Sequence, residues 1–370
     1  MNIKLNADFW KNRRVLLTGH TGFKGSWTAL ILENMGANVV GVSLQPNTNP
    51  SLYEILIPWT NMTSLLCDIR NREQLAEVVA AADPEIVIHM AAQPLVRESY
   101  HKPVETIETN VMGTIHLLES LQLMSSLAAV LVVTSDKVYA NDNSGVTMTE
   151  SSSLGGYDPY SASKAATEIL TSAYAQSFFA NRGIPVRTVR AGNVIGGGDW
   201  AKDRLIPDLW RAYSNRQSVE LRYPEAVRPW QHVLDPLYGY LLYIEHMVST
   251  PHGIPQSLNF GPPTETIRTV LDLAERFSNS LATQPLWTIK KSDEQLHESK
   301  LLSIDSSLAQ FHLGWRSMLD VDSAILWTCE WYRAFKNGEN MRQFSIKQIS
   351  AFFERVQNTT PFVTSPTKVA

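Results

Sequence analysis

Three glycines spaced three residues apart follow a short apolar segment near the start of the chain, and this feature constrains the fold most. Residues 14–18 are predicted to form a β-strand, and Gly19, Gly22 and Gly25 precede a helical segment that ends near Gly36. Without Cβ atoms, such a turn lets the backbone approach a pyrophosphate at the N-terminus of a helix. Taken alone, the spacing fits a closely packed tight turn equally well, since it differs by one residue from the commonest dinucleotide pattern.

The first half of the chain alternates short apolar segments with helical ones. Further strands are predicted at residues 39–44, 64–67, 86–89, 131–133 and 187–190, and helices at 72–82, 110–121 and from Pro159 onward. This alternation is typical of an α/β fold with a Rossmann-type, doubly wound parallel sheet. Ligands bind such sheets at the carboxyl ends of the strands. Four clusters follow predicted strands and should converge there: residues 19–25, Asp68 with Ile69, residues 91–93, and Ser135 with Asp136 and Lys137.

The second predicted strand ends without the acidic residue that many dinucleotide sites carry about 20 residues beyond the glycines to hold the adenosine ribose. Ser43, Leu44 and Gln45 stand there instead. No Arg or Lys is present at this point to bind the 2′-phosphate of NADP either. The expected cofactor is therefore NAD.

The strand at 131–133 ends in hydroxyl, carboxyl and amine groups that are costly to bury, which indicates chemistry. Further on, Asp158 and Pro159 are a good helix start, and Tyr160 and Lys164 then lie on one face of the helix. An ammonium near a phenol favours the phenolate, so Tyr160 with a lowered pKa is a candidate general base. The alternative is an ordinary tyrosine and lysine on a surface helix.

The composition excludes several classes of partner. The chain has 370 residues, a formal net charge of −4 and a pI near 6.2, so neither nucleic acid nor an anionic membrane is an expected partner. Cys67 and Cys329 are far apart and lack neighbouring ligand patterns, which argues against a disulfide framework or a metal site. With no leader-like segment and no apolar stretch of membrane-spanning length, a cytoplasmic protein is expected.

Taken together, the motifs resemble the extended short-chain dehydrogenase/reductase family in its nucleotide-sugar branch, over roughly residues 10 to 340. At the strand end, dehydratases of this family carry Ser or Thr, then Asp, then usually Glu. Asp136 followed by Lys137 resembles the CDP-glucose 4,6-dehydratases in particular. The alternatives are a nucleotide-sugar 4-epimerase, a dehydratase for another nucleotide sugar, and a non-catalytic NAD-binding protein. The elements that carry the resemblance are residues 18–25, Asp68 with Ile69, residues 89–92, residues 110–114, and Tyr160 with Lys164.

The resemblance implies a mechanism in which C4 of the glucosyl unit is oxidised first, since C5–H becomes acidic only beside a ketone. Tyr160 would take the C4 hydroxyl proton while hydride passes to NAD⁺, Lys164 would lower the phenol pKa and bind the nicotinamide ribose, and Ser135 would hydrogen-bond O4. Lys137 would then remove the C5 proton, and protonated Asp136 would donate to the departing 6-hydroxyl before hydride returns to C6. Lys137 must be neutral for this. Alternatively, it stays protonated and stabilises the enolate.

The resemblance also assigns binding residues. Asn193 and Arg228 match contacts to the diphosphate, and Leu205, with Ile206 and Pro207, matches the base-contacting segment. Arg204 is a second diphosphate candidate, for which an ion pair is an equal alternative. Residues 196–198 lack the Lys-Ser/Thr ending of a triphosphate loop and are expected to form a flexible turn. The implied cofactor contacts are Gly19, Gly22, Phe23, Lys24, Gly25, Asp68, Ile69, Ala91, Ala92 and Asn110, with Tyr160 and Lys164.

The resemblance predicts a cofactor domain interleaved in sequence with a smaller, C-terminal substrate domain. The first comprises residues 1–190 and about 233–262, and the second about 191–232 and 263–356. Residues 297–300 and 313–315 and a helix through Trp327 and Trp331 would belong to the smaller domain, with the tryptophans in its core. Residues 357–370, rich in Thr, Ser and Pro, are expected to be disordered. The resemblance also implies a homodimer or dimer of dimers, paired through the helices of Asn110 and Tyr160, and deoxysugar biosynthesis of the lipopolysaccharide O-antigen type.

Overall fold

The computed structural model describes residues 4–251, 253–281, 285–289 and 301–358. The strands of this part of the chain are β1 (Arg14–Thr18), β2 (Asn38–Ser43), β3 (Met62–Leu66), β4 (Ile86–His89), β5 (Ala129–Val133), β6 (Val186–Ala191), β7 (Val194–Ile195), β8 (Val219–Leu221), β9 (Val227–Arg228), β10 (Gln231–His232), β11 (Ser257–Phe260), β12 (Arg268–Thr269) and β13 (Trp287–Ile289).

Helices connect these strands, mostly one after each strand of the main sheet. The α-helices are α1 (Ala7–Trp10), α2 (Phe23–Asn34), α3 (Leu52–Ile55), α4 (Arg72–Ala82), α5 (Val96–His101), α6 (Pro103–Ile107), α7 (Gly113–Leu121), α8 (Pro159–Tyr174), α9 (Leu205–Asn215), α10 (Leu234–Ser249), α11 (Val270–Leu281), α12 (Ser307–Leu313), α13 (Val321–Lys336) and α14 (Met341–Gln357). A π-helical turn, Glu108–Met112, joins α6 to α7, and a 3₁₀ turn, Asp136–Val138, follows β5.

The main sheet is parallel, with the strand order β11-β6-β5-β4-β1-β2-β3. The prediction of a Rossmann-type, doubly wound sheet is confirmed. The chain runs from β1 outward to β2 and β3, then returns to β4 on the other side of β1. Such a reversal opens a crevice at the carboxyl ends of the strands, where ligands of this fold bind.

Successive residues of the central strands pack into different cores. Leu17 and Leu131 belong to the larger hydrophobic cluster, which continues into the C-terminal part of the chain, whereas their neighbours Leu16 and Val130 belong to a smaller cluster on the opposite face. Because side chains alternate across a strand, a strand buried on both faces must be apolar throughout. This explains why all five residues of β5 are apolar and why the polar residues begin only after the strand, at Thr134.

The segments after β6 leave the main sheet and later return to it. Strand β11 pairs in parallel with β6, with Leu258 opposite Val189, and α10 packs against β5. Between and after them, β8 pairs with β13, and β9 with β12, in small separate sheets. This course of the chain supports the proposed division into two interleaved domains, which stays a prediction.

The C-terminal helix α14 was not predicted, and it extends the ordered structure up to the expected tail. Its residues Ile349 and Phe352 are buried in the larger core, and Arg342 forms a 2.8 Å ion pair with Glu33 of α2. Gln357, predicted to begin a disordered tail, is still helical. Residues 359–370 and 297–300 lie outside the described residues.

The tryptophans and the cysteines singled out in the sequence are all buried. Trp315 and Trp331 are almost completely buried, as predicted for core residues, and Trp327 is also buried. Cys67 and Cys329 are buried free thiols. Within the described ranges, no helix has the length and apolarity needed to cross a membrane.

Candidate active site

A cavity of about 1090 Å³ lies at the carboxyl ends of the main-sheet strands and extends to α9 and β8. These two elements pair or pack with α11 and β13, and α11 packs with β12, which pairs with β9; we call this group the smaller lobe. Its wall brings together all but one of the residues selected from the sequence. These are Gly19, Gly22, Phe23, Lys24, Gly25, Asp68, Ile69, Ala91, Ala92, Ser135, Asp136, Lys137, Tyr160, Lys164, Asn193, Arg204, Leu205 and Arg228.

Asn110 is the exception, because it does not line the cavity. Its side chain is buried and accepts a hydrogen bond from the Gln93 amide (2.8 Å) while donating to the Gln93 carbonyl and to Ser163 Oγ. These contacts fix the loop after β4 against α8. The cofactor contact of Asn110 stays a prediction, and the hydrogen bonds of its side chain position the cavity wall.

The glycine turn between β1 and α2 is too crowded to hold a side chain at Gly19 or Gly25. A Cβ atom on Gly25 would lie 2.0 Å from the Gly19 carbonyl oxygen, and one on Gly19, whose φ is +78°, would lie 2.7 Å from the Ala91 nitrogen. The amides of the first helical turn, which have no acceptor within the helix, are therefore left facing the cavity with no side chain before them. This cradle fits a dinucleotide pyrophosphate.

Asp68 and Ile69, which follow β3, form the neighbouring part of the wall. Arg70 Nε donates to Asp68 Oδ1 at 3.0 Å, and Nε and Nη2 donate to Oδ2 at 2.9 and 2.6 Å. This hydrogen bonding holds the Asp68 pKa below its usual value. Ile69 packs against Gly113 of α7, where any Cβ would collide with its side chain. This side of the cavity is consequently fixed in place, with its carboxylate already neutralised.

The polar end of β5 forms a one-turn 3₁₀ helix that carries three of the predicted catalytic side chains. Ser135 Oγ accepts a hydrogen bond from the Lys137 amide (3.3 Å) and donates to Asp136 Oδ1 (3.1 Å). Asp136 is 2% exposed, and its Oδ2 atom is buried with no hydrogen-bond partner in the described structure. Burial raises the Asp136 pKa, against the opposing effect of nearby Lys137. A protonated carboxyl group is thereby favoured in this position.

Tyr160 lies at the start of α8, as its sequence predicts. Asp158 caps the helix by accepting from the Ser161 amide (2.9 Å), and Pro159 occupies the first turn. The Tyr160 side chain is 7% exposed, and Ser135 is near enough to lower its pKa. The helix start therefore fixes the phenol beside the end of β5.

The prediction of a lowered Tyr160 pKa is wrong: the burial and the charges of the protein itself raise it. Burial raises the pKa of Tyr160 to about 12, Asp136 acts in the same direction, and Ser135 and Arg204 oppose them. Lys164 instead donates from Nζ to the Val133 carbonyl oxygen at 3.1 Å. The shared helix face was predicted correctly. However, desolvation of the phenolate raises the Tyr160 pKa by more than Ser135 and Arg204 lower it.

Lys24, half-buried in the cavity wall, contributes a second amine that sequence reasoning treated only as part of the glycine turn. Burial lowers its pKa to about 8, with Arg204 acting in the same direction and Asp136 opposing it. Burial likewise lowers the Lys164 pKa to about 8, helped by the charge of Lys24. The sequence carries no signal of this grouping beyond a lysine among the glycines, because the two lysines are 140 residues apart.

The arginines of the smaller lobe differ in their partners. Arg204 precedes α9, which begins at Leu205, and its Nη1 lies 2.9 Å from Asp199 Oδ2. The ion-pair alternative is thus present, although Arg204 also lines the cavity. Arg228 is 4% exposed, donates to the Val227 carbonyl, and lies near enough to lower the Asp136 pKa. Asn193 reaches the same wall just after β6.

The glycines at 196–198 are buried, so a flexible turn is the wrong description. A Cβ on Gly197 would lie 1.9 Å from Cγ of Trp331, and the Gly197 carbonyl accepts from Trp27 Nε1 at 3.0 Å. These contacts tie the cavity wall to α2 and α13. The distances along the chain, 134 and 170 residues, explain why local composition suggested flexibility.

Sequence reasoning also missed the buried ion pair behind β5. Arg190 and Glu168, each with a side chain 4% exposed, lie 2.8 Å apart, and Thr134 and Thr188 both donate to the same carboxylate. The available signal was Arg190, a charged residue next to the end of β6. Among the described residues, no group of three or more His, Cys, Asp or Glu side chains is placed to hold a metal ion.

Comparison with known proteins agrees with this geometry. A family model described as the NAD dependent epimerase/dehydratase family matches residues 15–261. A CDP-glucose 4,6-dehydratase from Salmonella typhimurium is 43% identical over 353 residues, covering 94% of this chain and 98% of the relative. A probable dTDP-glucose 4,6-dehydratase from Sinorhizobium fredii is 28% identical, covering 86% and 92%.

Among solved structures, a dTDP-glucose 4,6-dehydratase from Streptomyces venezuelae with NAD bound superposes with a TM-score of 0.75. It is 25% identical in sequence, and the match covers 88% of this chain and 98% of that one. The likeness extends over both the main sheet and the smaller lobe.

Proposed function

This chain belongs to the NAD dependent epimerase/dehydratase family, and we propose that it converts CDP-D-glucose to CDP-4-keto-6-deoxy-D-glucose and water. The observation that carries this proposal is the end of β5, where a buried Asp136 and its neighbour Lys137 share one cavity with Tyr160. A 4-epimerase needs the tyrosine and lysine of α8 but no acid and base for C5 and C6. The similarity to the Salmonella CDP-glucose 4,6-dehydratase supports the same nucleotide.

NAD is the cofactor of this family, and the crowded glycine turn fits its pyrophosphate. The residues that would hold it are those of the turn at 19–25, Asp68 and Ile69 beyond β3, and Ala91 and Ala92 beyond β4. When bound, NAD⁺ accepts hydride from C4 of the sugar and returns it to C6. The protein's own task is to move protons at C4, C5 and the 6-hydroxyl, and to keep water out of the buried end of the cavity.

For the oxidation, Tyr160 takes the proton of the C4 hydroxyl. Its raised pKa means that the phenolate has to be stabilised by positive charge when substrate is bound. Arg204 already lowers the Tyr160 pKa, and the Lys164 ammonium is four residues along the same helix. Ser135, near enough to lower the Tyr160 pKa, is placed to hold the same substrate oxygen.

For the elimination, Asp136 donates a proton to the departing 6-hydroxyl. Its unpartnered, buried Oδ2 and its raised pKa support a protonated carboxyl that has a hydrogen to give. Lys137, half-buried on the same 3₁₀ turn, removes the C5 proton; in the alternative it stays protonated and stabilises the enolate, while Asp136 or water moves the proton. Water leaves, hydride is added to C6 and a proton to C5, and the keto group at C4 remains.

The nucleotide part of the substrate lies toward the smaller lobe in this proposal. Arg228 and Asn193 contact the diphosphate, with Arg204 as a further cation, and the segment from Leu205 contacts the base. The support is their common position on the cavity wall and the burial of Arg228, whose planar, permanently charged group suits phosphate oxygens.

We further propose a homodimer, or a dimer of such dimers, paired through the helices that bear Asn110 and Tyr160. Large apolar side chains are exposed on these helices and their π-helical ends: Val104, Ile107, Met112, Ile169 and Phe178 are 67, 47, 41, 57 and 45% exposed. Covering them would remove apolar surface from water. Light scattering should give at least twice the chain mass, and Ile169→Asp should reduce it. A monomeric wild type would contradict this.

A cytoplasmic location and a role in deoxysugar biosynthesis of the lipopolysaccharide O-antigen type belong to the same proposal.

The test of the reaction is incubation with CDP-glucose and NAD⁺. We expect a 4-keto-6-deoxy sugar, detected by its base-induced ultraviolet absorbance, with no net formation of NADH. Glucose linked to UDP, dTDP or GDP, supplied at the same concentration, should react more slowly. Formation of CDP-galactose without the keto sugar would identify an epimerase, and faster turnover of another nucleotide would refute the choice of CDP.

A further inference from the structure

A pair of hydroxyl groups lies at the carboxyl end of β2, beside the glycine turn. Ser43 is the last residue of β2, and its Oγ atom is 2.7 Å from Thr21 Oγ1. Both side chains are largely buried, at 9 and 8% exposure, and both residues line the cavity. The mechanism outlined above uses neither of them.

Ser43 occupies the position where a dinucleotide site of this fold normally presents a carboxylate to the adenosine ribose. It follows Gly25 by 18 residues and ends the strand adjacent to β1, so it borders the glycine cradle directly. An Asp or Glu at this point accepts from the ribose 2′-hydroxyl and repels the 2′-phosphate of NADP. A serine can do the first of these and not the second.

The hydrogen-bond pattern determines which way the two hydroxyl hydrogens point. Thr21 Oγ1 donates its only hydrogen to the Leu44 carbonyl oxygen, at 2.9 Å. The hydrogen of the 2.7 Å bond between the two hydroxyls must consequently come from Ser43. With its hydrogen committed to Thr21, the Ser43 oxygen presents only lone pairs to the cavity, and it can accept from a hydroxyl but cannot donate to a phosphate.

The described residues that adjoin this pair along the chain and on the next strand offer no free cation. The cavity-lining residues next to it in sequence, Leu44, Gln45, Asn47 and Thr48, are neutral. His20 of the glycine turn bonds through Nε2 to Ser64 Oγ at 2.7 Å, and burial lowers its pKa to about 4. Arg70, the cation beyond the adjacent strand, is occupied by Asp68. None of these residues is therefore placed to attract a 2′-phosphate.

We propose that Ser43, oriented by Thr21, is the residue that selects NAD over NADP, through one neutral hydrogen-bond acceptor in place of a carboxylate. One neutral hydrogen bond discriminates by no more than about tenfold, whereas a bond to a charged group reaches about a hundredfold. The chain should thus prefer NAD only modestly. The preference should also depend on Thr21, which never touches the ribose in this arrangement and controls only the direction of the Ser43 hydrogen.

The test measures the dissociation constants of NAD⁺ and NADP⁺ on the full-length protein, freed of bound nucleotide, by calorimetry without any sugar nucleotide. For the wild type we expect NAD⁺ to bind more tightly by about tenfold or less. Ser43→Asp restores a carboxylate and should shift the ratio toward NAD⁺ by more than about tenfold. Thr21→Val removes the acceptor that holds the Ser43 hydrogen, frees it for a phosphate, and should shift the ratio toward NADP⁺ by more than about twofold.

Thr21→Ser is the matched control, because it keeps the hydroxyl and should leave the ratio within about twofold of the wild type. A wild-type preference above about tenfold would overturn the proposal. So would a Ser43→Asp or Thr21→Val protein whose ratio stays at the wild-type value. Since these are binding measurements, they are independent of whether CDP-glucose is the substrate.

Discussion

Two pairs of residues are proposed to carry out the reaction, and burial affects the two pairs differently. Tyr160 and Lys164 lie on α8, and Asp136 and Lys137 on the 3₁₀ turn after β5. Burial raises the pKa of both Tyr160 and Asp136. For an acid that must hold its proton until water leaves, this is favourable. For a phenol that must give up its proton to act as a base, it is a cost, so the same dry environment serves elimination and opposes oxidation.

Positive charge in the cavity has the reverse effect on these groups. Arg204 lowers the Tyr160 pKa, whereas Lys137, Arg228 and Lys24 lower the Asp136 pKa. Since the cations of the wall act on both groups, they must favour the phenolate without ionising the acid. Before any ligand is bound, only the second requirement is met: the Asp136 pKa is still raised, but so is the Tyr160 pKa, to about 12, although Arg204 acts to lower it.

Replacing Tyr160 should cause the largest loss. Tyr160→Phe keeps the ring and removes the base, so C4 oxidation should fall by about a thousandfold. The rate of reduced-nicotinamide absorbance after mixing with CDP-glucose measures that step. The matched control is Tyr157→Phe, the same change at a side chain that is 77% exposed three residues earlier, which should keep wild-type rates. Normal turnover of Tyr160→Phe would remove this residue from the mechanism.

Replacing Lys137 separates the two roles left open for it. Lys137→Met should slow elimination by about a hundredfold if the amine removes the C5 proton, and C4 oxidation should continue. Product formed in deuterium oxide reports the step through deuterium at C5, since the hydrogen added to C6 is the hydride taken from C4. Lys347→Met, at an exposed position of α14, is the control. Elimination at the wild-type rate would show that Lys137 is not the base.

The smallest expected effect, about a few-fold per pH unit, is an opposite pH dependence of the two half-reactions. Oxidation needs ionised Tyr160, whose pKa is raised to about 12, so its rate should rise with pH through the neutral and mildly alkaline range. Elimination needs protonated Asp136, so in the Lys137→Met background, where no lysine base titrates, its rate should fall once pH exceeds the raised pKa of that carboxyl group. Single-turnover measurements of each step give both slopes, and slopes of the same sign would contradict the division of roles.

Much of this site could be predicted from sequence because its signals are local. A capped helix start fixed the position of Tyr160, and polar residues at the ends of apolar strands marked the edge of the sheet. Strand β4 and helix α4 have the predicted bounds. Each of these features depends on residues within a few positions of one another, which is the range over which hydrophobic periodicity and capping act.

The properties that sequence could not predict depend on distant segments. The Tyr160 pKa is set by burial and by Ser135, Asp136 and Arg204, and Lys24 is near Asp136 only because two strand ends meet. The role of Asn110 is fixed by Gln93 and Ser163, and that of α14 by Glu33. A charged or amide side chain has no sequence pattern that names its partner, so these contacts required the folded structure.

The proposed separation of oxidation from elimination is tested most directly by Asp136→Asn in a single turnover with CDP-glucose and NAD⁺. The amide keeps the size of the carboxyl group and an oxygen that can accept from Ser135, but it cannot supply the proton for the departing hydroxyl. The account predicts that the absorbance of reduced nicotinamide appears at close to the wild-type rate and then persists, with little 4-keto-6-deoxy product. Formation of that product at the wild-type rate, or loss of the reduced-nicotinamide signal altogether, would contradict it.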